Sequence, residues 1–435
     1  MPTTSWGYRA TIRLGVALAP AVGWFDRRVR AALHARREAG DRLLDWARWN
    51  RDLARPLVWF HAASVGEGRQ AESVLLALRR MRPDCQVLYT HFSPSAEALA
   101  AQIAADASDY LPYDLPAPVD RLIQALQPDL LVFAKLDVWP ELSTRAATSG
   151  VEVALIAATV RPGSGRLRWP ARALLEPGYR AIAAAGAVAP ADAARLERLG
   201  LPGDRIRVLG DPRFDSVLDR VGTVPPNDPL LRLGQGAPTL VAGSTWPSDE
   251  AVLVDALTQL HRHHPEARLI LVPHEPTSQH LTRLEDRVRA AGLSSERLSA
   301  AAGRSTILLV DRVGVLATLY GAASVAYVGG GFGRAGLHSV LEPAAWSIPV
   351  AFGPRWQNSR DAELLVQANA AIALPKSPGA AAQVLSQHWR TWIEDENARQ
   401  AQGRRAREVV ERGVGASERS ADLLVQLISA RRHRR

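Results

Sequence analysis

Two sets of residues in this chain have the types and spacing to do chemistry. The first is a glycine-rich stretch. The apolar run 324–328 reads as a buried strand and ends in Gly329, Gly330, Gly331, Gly333 and Gly336. Glycine lets backbone amides approach a ligand and tolerates positive φ. A helix expected next, with Glu342 and Pro343 in its first turns, would aim its dipole and free amides at the same point. That combination suits an anion such as a phosphate, with Glu342 left to bind sugar hydroxyls. Two other readings stay open. Gly331, Gly333 and Gly336 fit G-x-G-x-x-G, the dinucleotide pattern. Where an acidic residue should follow about 20 residues downstream, the chain has Phe352-Gly-Pro-Arg355. The third reading is a tight turn with no ligand.

The second set is ionisable. Glu67, Asp137 and Arg161 each follow a short apolar run. Strands are read at 57–62, 87–90, 129–134 and 151–157, with helical stretches between them. Such alternation implies a parallel sheet with helices on both faces, where chemistry collects past the strand C-terminal ends. The half closes with 206–210 and Asp211-Pro-Arg213-Phe-Asp215, and the prolines of 223–229 mark a linker. The alternation restarts at 239–245, 268–273, 307–310, the glycine-rich strand and 348–352. The fold class is therefore α/β. Two Rossmann-like domains facing a cleft fit the GT-B architecture of many nucleotide-sugar glycosyltransferases.

Length and composition bound this reading. At 435 residues the chain exceeds one ordinary core, so two domains are expected. Hydrophobic residues at 47% and charged residues at 22% exclude a disordered chain. The net charge of +9 calls for an anionic partner. No basic stripe interleaved with aromatics is present, so lipid and acidic substrate rank above nucleic acid. The single Cys85 excludes an internal disulfide and a cysteine metal cluster, and fits the core of a protein in a reducing compartment. Residues Ile12 to Phe25 make an apolar run of 14, short of the ~20 a spanning helix needs. Arg27, Arg28, Arg30, Arg36 and Arg37 follow it. This suits a helix lying on an anionic membrane surface, or equally one packed on the N-terminal domain. The basic tail 431–435 is expected to be solvated.

Several blocks stand in an order that carries a resemblance: His61-Ala-Ala-Ser-Val-Gly-Glu67, Trp139-Pro140, Arg213-Phe-Asp215, Ala242-Gly-Ser-Thr245, Val272-Pro273, Gly329-Gly330, and His338 with Leu341-Glu-Pro-Ala344. Together they resemble the Kdo (3-deoxy-D-manno-octulosonic acid) transferases of lipopolysaccharide synthesis, over roughly Tyr8 to Leu374. The resemblance implies inverting transfer of Kdo from CMP-Kdo to a lipid A precursor at the cytoplasmic face of the inner membrane. It implies Glu67 as the base, and Asp137 and Arg213 as groups assisting the transition state. It assigns CMP to Pro273, His274, Val313, Gly314, Val315, Ser339, Val340, Leu341 and Glu342. It implies no cofactor beyond the donor substrate, and no metal motif is evident. Lys135-Leu-Asp137-Val stands where Glu-Thr-Glu-Leu is more usual, Arg213 where Lys is common, and His274, Val315 and Ser339 where Arg, Glu and Asn are frequent. These departures leave open another nucleotide sugar and lipid acceptor, or a membrane-bound sugar-nucleotide binder without turnover. The expected organisation is a membrane segment 1–45, an acceptor domain 46–220, a linker 221–235, a nucleotide domain 236–410 and a C-terminal helix and tail 411–435.

Overall fold

The computed structural model describes residues 4–23, 27–300, 305–333 and 336–432. Helices α1 (Trp6–Gly23) and α2 (Arg27–Asn50) precede the first strand, and α3 (Val65–Met81) follows it. The first sheet comprises β1 Leu57–His61, β2 Gln86–His91, β3 Ala107–Tyr110, β4 Leu130–Ala134, β5 Glu152–Ala158, β6 Ala184–Ala187 and β7 Ile206–Val208. All are parallel, in the order β3-β2-β1-β4-β5-β6-β7. Strands β1 and β4 are buried along their whole length, which is why they read as unbroken apolar runs. The pleat sends Val58 and Phe60 against Val74, Leu75 and Leu78 of α3 on one face. Leu57 and Trp59 go to the other face, with Leu142 and Ala146 of the helix Pro140–Thr148.

The second sheet comprises β8 Thr239–Thr245, β9 Arg268–Pro273, β10 Ser295–Arg297, β11 Ile307–Leu309, β12 Val325–Val328, β13 Val350–Phe352 and β14 Ala371–Ala373. It too is parallel, in the order β10-β11-β9-β8-β12-β13-β14. Four strands escaped the sequence reading: β3, β6, β10 and β14. Ala-Ser-Asp-Tyr and Ser-Glu-Arg are polar pieces, and Ala-Ala-Gly-Ala and Ala-Ile-Ala carry few β-branched side chains. Cys85 is buried, as a core position requires.

The chain divides into two compact units, Met1–Ser216 with Val414–Arg435, and Val217–Gly413. It leaves the first within the helix Arg213–Gly222 and re-enters it before the helix Ala416–Arg432. Asp215 fixes the return: its carboxylate accepts from the amides of Gly415 at 2.6 Å and Ser417 at 2.9 Å, and from the Ser417 hydroxyl at 3.0 Å.

Helix α1 has two parts. Its start is docked on the first unit. The Tyr8 hydroxyl donates to Asp114 at 2.7 Å, and Arg9 donates to both Glu141 oxygens at 2.9 and 3.0 Å. Burial pushes the Asp114 carboxyl up to about 6, against the pull of Tyr8 and the amides of Glu141 and Leu142. Further along, Leu14 and Leu18 are 60% and 57% exposed. No described helix is long and apolar enough to cross a membrane. Among the arginines expected at an anionic surface, Arg36 is instead buried, its guanidinium 3.7 Å from the Phe92 ring centroid.

The tail differs from expectation. Arg431 is buried, because the last turn of the helix Ala416–Arg432 lies against the first sheet. Its guanidinium lies 3.5 Å from the Asp129 carboxylate, that of Arg51 lies 3.7 Å from it, and Leu57 N donates to it at 2.9 Å. Residues 433–435 lie outside the described residues. Removing one member of such a buried group leaves charge without compensation, so Asp129→Ala should lower unfolding free energy by about 3–5 kcal/mol. Urea denaturation checks this; a loss under about 1 kcal/mol would place the cluster with weakly coupled surface pairs.

Candidate active site

In the first sheet β1 and β4 are neighbours, yet the helices that follow them pack on opposite faces. That divergence leaves a crevice at the strand C-terminal ends, and the ionisable residues gather there. His61, the last residue of β1, is fully buried, and its Nε2 lies 2.9 Å from Asp137. The Trp139 indole N–H also donates to Asp137 Oδ2 at 3.1 Å, its nitrogen lying 3.1 Å from His61 Nε2. His61 Nδ1 lies 3.0 Å from the Thr90 hydroxyl, which accepts from the Trp59 indole at 2.9 Å. An ionised carboxylate only accepts, so the network places a His61 proton on Nε2. Burial works to raise the Asp137 pKa. The hydrogen bond and charge of His61, the Trp139 bond and the charge of Arg166 outweigh it, and the group stays below the usual carboxylate range.

Glu67 occupies the first turn of α3. Its Oε2 accepts from Ser64 N at 3.2 Å and from the Ser64 hydroxyl at 3.1 Å. Its Oε1 faces the Lys135 ammonium at 3.8 Å. Lys135 directly follows β4 in a left-handed conformation, φ 61°, which a non-glycine residue adopts at a cost of roughly 1–3 kcal/mol. One oxygen of Glu67 is therefore fixed, and the other meets a half-exposed cation that can swing away. Arg213 is engaged elsewhere: its Nε and Nη2 donate to Asp211 Oδ2 at 2.9 and 2.6 Å. Gln70, one turn beyond Glu67 on α3, donates to the other Asp211 oxygen at 3.1 Å. Burial would raise the Asp211 pKa, but Arg213 and Gln70 keep it low. Arg161 is exposed.

The second unit repeats the arrangement at β8 and β12, also neighbours. The glycine-rich loop follows β12, but it departs from expectation in two ways. No long helix opens after it; residues 337–340 are irregular, and Leu341–Ala345 is a single turn. The loop amides also serve an internal acid. Asp249, buried in the helix Pro247–Leu260, accepts from Gly330 N and Trp246 N, both at 3.0 Å, and from the Tyr327 hydroxyl at 2.7 Å. Burial raises its pKa despite these bonds and one from Phe332 N. The glycines are required by close backbone approach. A Cβ on Gly329 would stand 2.2 Å from Ser244 O, and one on Gly330, at φ 93°, would stand 2.1 Å from Gly336 O.

Above this loop lies a ring cluster. Trp246 stacks on His274 with centroids 4.9 Å apart, and His274 lies 4.6 Å from His338. A cavity of about 890 Å³ opens beside Trp246 and His274, lined also by Glu250, His280 and Arg283. Of the expected CMP residues, Pro273 ends β9 and the others follow β9, β11 and β12, all at the strand C-terminal ends. They differ in what they can offer. His274, Val313, Gly314 and Ser339 are exposed, and Val315 is half-buried. Pro273, Val340 and Leu341 have buried side chains, leaving their backbone. Glu342 is paired with Arg220 at 2.6 Å. Among the described residues no cluster of three or more His, Cys, Asp or Glu is placed to hold a metal.

Sequence reading missed Thr90, Asp249 and the pairing of Trp246 with His338, and it named His61 and Lys135 without their partners. Each acts through a partner distant in sequence. The available signals were polar residues inside or directly after apolar strands.

Two parallel seven-stranded sheets with ligand-type crevices define a protein of the two-Rossmann-domain class. Solved structures share that fold: a UDP-GlcNAc 2-epimerase from Neisseria meningitidis bound to UDP-GlcNAc has TM-score 0.60 at 14% identity, covering 86% of this chain and 100% of that one. The S. aureus MnaA–UDP structure has TM-score 0.58 at 14% identity, covering 86% and 98%. A family model described as 3-Deoxy-D-manno-octulosonic-acid transferase (kdotransferase) matches residues 34–216. The 3-deoxy-D-manno-octulosonic acid transferase of Bordetella pertussis is 31% identical, over 94% of this chain and 96% of its own length. That of Haemophilus influenzae is 25% identical over 84% and 86%. The chain belongs to the 3-deoxy-D-manno-octulosonic acid transferase family.

The lowered pKa of Asp137 has a sign that can be checked. Its stabilising contribution is present above the ordinary carboxylate range and is lost as pH falls through the depressed folded value. The stability gap between wild type and Asp137→Asn should be full near pH 6 and close toward about pH 3. Urea titrations at each pH measure it; a gap that does not change with pH would mean that His61 does not stabilise the ionised form.

Proposed function

We propose that the chain is an inverting glycosyltransferase moving Kdo from CMP-Kdo to a lipid A precursor in lipopolysaccharide synthesis. Family membership along nearly the whole chain carries this reading. The geometry of the first unit supports it, since a carboxylate base and an ionised Asp137 meet at one sheet edge. In this reading the acceptor hydroxyl displaces Lys135 from Glu67 Oε1 and gives its proton to that oxygen as its own oxygen bonds to the anomeric carbon. The bond from that carbon to the phosphate oxygen breaks, and CMP leaves with the electron pair. The capping bonds from Ser64 hold the carboxylate in place during the transfer. Asp137, ionised and bonded to His61, stabilises positive charge that develops at the sugar. Arg213, oriented by Asp211, supplies positive potential for the departing phosphate.

The donor nucleotide lies over His274, Val313–Val315 and Ser339–Glu342, contacting Val340 and Leu341 through their backbone. The donor sugar is the only small molecule the reaction needs; no cofactor takes part. The region 46–220 serves the acceptor and 236–410 the donor. The exposed Leu14 and Leu18 of α1, with exposed Arg13 nearby, rest on the anionic cytoplasmic face of the inner membrane.

Incubating the purified protein with CMP-Kdo made in situ and a tetra-acylated lipid A precursor, with products read by mass, tests the reaction. A gain of one or more Kdo units is expected. Glu67→Ala should abolish that gain while CMP affinity stays within about twofold; normal turnover in this variant would remove Glu67 from the mechanism. Leu14→Asp with Leu18→Asp should weaken sedimentation with phosphatidylglycerol vesicles. Unchanged sedimentation would leave α1 without a membrane role.

A further inference from the structure

The indole of Trp246 makes two contacts that the proposed reaction leaves unused. Its face carries the His274 ring. Its N–H donates to His338 Nε2 at 3.3 Å. An indole nitrogen can only donate, so His338 Nε2 must present a lone pair. The proton of neutral His338 then sits on Nδ1. The ring's Cδ2 edge faces Gly330, where a Cβ would stand 3.2 Å away. Among the described residues Nδ1 has no hydrogen-bond partner. His338 directly precedes Ser339, the first residue of the expected nucleotide contact on this loop.

We propose that Trp246 is a positioning residue of the donor site. It holds His338 as a neutral imidazole that offers one N–H, from Nδ1, to an anionic oxygen of the nucleotide. This rests on the reading that the donor nucleotide lies over this loop. A second proton on His338 would have to enter at Nε2, against the indole N–H. Burial and the neighbouring His274 oppose it further and lower the His338 pKa. The other charged groups on neighbouring elements are Asp249 of the helix Pro247–Leu260, which accepts from Gly330 N, Arg355 after β13, which donates to Gly333 O, and the Arg220–Glu342 pair. All of them remain in a Trp246→Phe protein, which keeps an aromatic face for His274 and lacks the N–H. A neutral donor binds phosphate without the excess attraction of an imidazolium, so CMP can leave after transfer.

Full-length protein labelled with ¹⁵N-histidine, with His338 assigned by its loss in His338→Gln, gives the tautomer from long-range ¹H–¹⁵N spectra. The wild type should show His338 protonated on Nδ1 alone near neutral pH. Trp246→Phe should move the proton toward Nε2 and shift the titration of the ring to higher pH. Calorimetry with CMP gives the second arm. Trp246→Phe should weaken CMP by roughly fivefold, the worth of one net hydrogen bond. It should add nothing in a His338→Gln background, since the two act as one unit. An unchanged tautomer, or losses that simply multiply in the double variant, would overturn the proposal. Absence of CMP binding to the wild type would sink the donor reading and the ligand half of this proposal, while the spectra still decide what Trp246 does to His338.

Discussion

A parallel sheet built outward from its centre in both directions has one place where neighbouring strands send their chains to opposite faces. The chemistry of this protein depends on that constraint. In the first sheet the place is β1 beside β4, and in the second it is β8 beside β12. No connection can cover the strand ends there, so side chains from two loops must fill the gap or meet a ligand. His61 and Glu67 come from one side of the first gap, and Lys135 and Asp137 from the other. Trp246 and the glycine loop face each other across the second. Backbone strain collects at the same edges: Lys135 and Ser244, at the ends of β4 and β8, both have positive φ.

Three carboxylates, Asp211 and Asp249 buried and Asp137 mostly so, show how these loops keep their shape. Asp137 and Asp211 each sit beside a basic partner, and both stay ionised more readily than a free side chain. Asp249 has only neutral donors, and burial pushes its pKa the other way. The difference follows from charge. Amide and hydroxyl dipoles satisfy a buried carboxylate but do not fully offset its lost hydration, whereas a guanidinium or imidazolium can. Asp249 also explains the glycine loop. The amides at Gly330 and Phe332 are turned inward to an acid of the same unit, and the side chains above them, Trp246, His274 and His338, are left to define the surface.

The sheet-forming runs were legible because the central strands are buried on both faces and carry little but apolar side chains. The edge strands β3, β10 and β14 were not, since they are only partly buried and their composition drifts toward that of loops, and the buried β6, Ala-Ala-Gly-Ala, was not because small side chains carry little strand signal. The placement of Glu67 and Asp137 past the ends of β1 and β4 could be read because position after a strand is a local property of the chain. His61 could not be told from any strand residue until β2 and β4 brought Thr90 and Asp137 to its two nitrogens. Arg431 of the tail was misread for the same reason. A run of arginines suggests solvent unless a buried acid waits for one of them, and Asp129 lies some three hundred residues upstream of Arg431. The helix expected after Gly336 is present as the short Leu341–Ala345, because Ala, Leu and Glu near a glycine loop satisfy propensity without specifying length.

Asp215 has a topological consequence. By accepting from Gly415 and Ser417 it ties the point where the chain leaves the first unit to the point where it comes back. The whole span Val217–Gly413 is thus a guest whose two ends enter its host side by side. A host with paired entry points keeps its own strand order whatever is carried between them. The guest half of such a chain can diverge, or be exchanged for another of its kind, without re-threading its host.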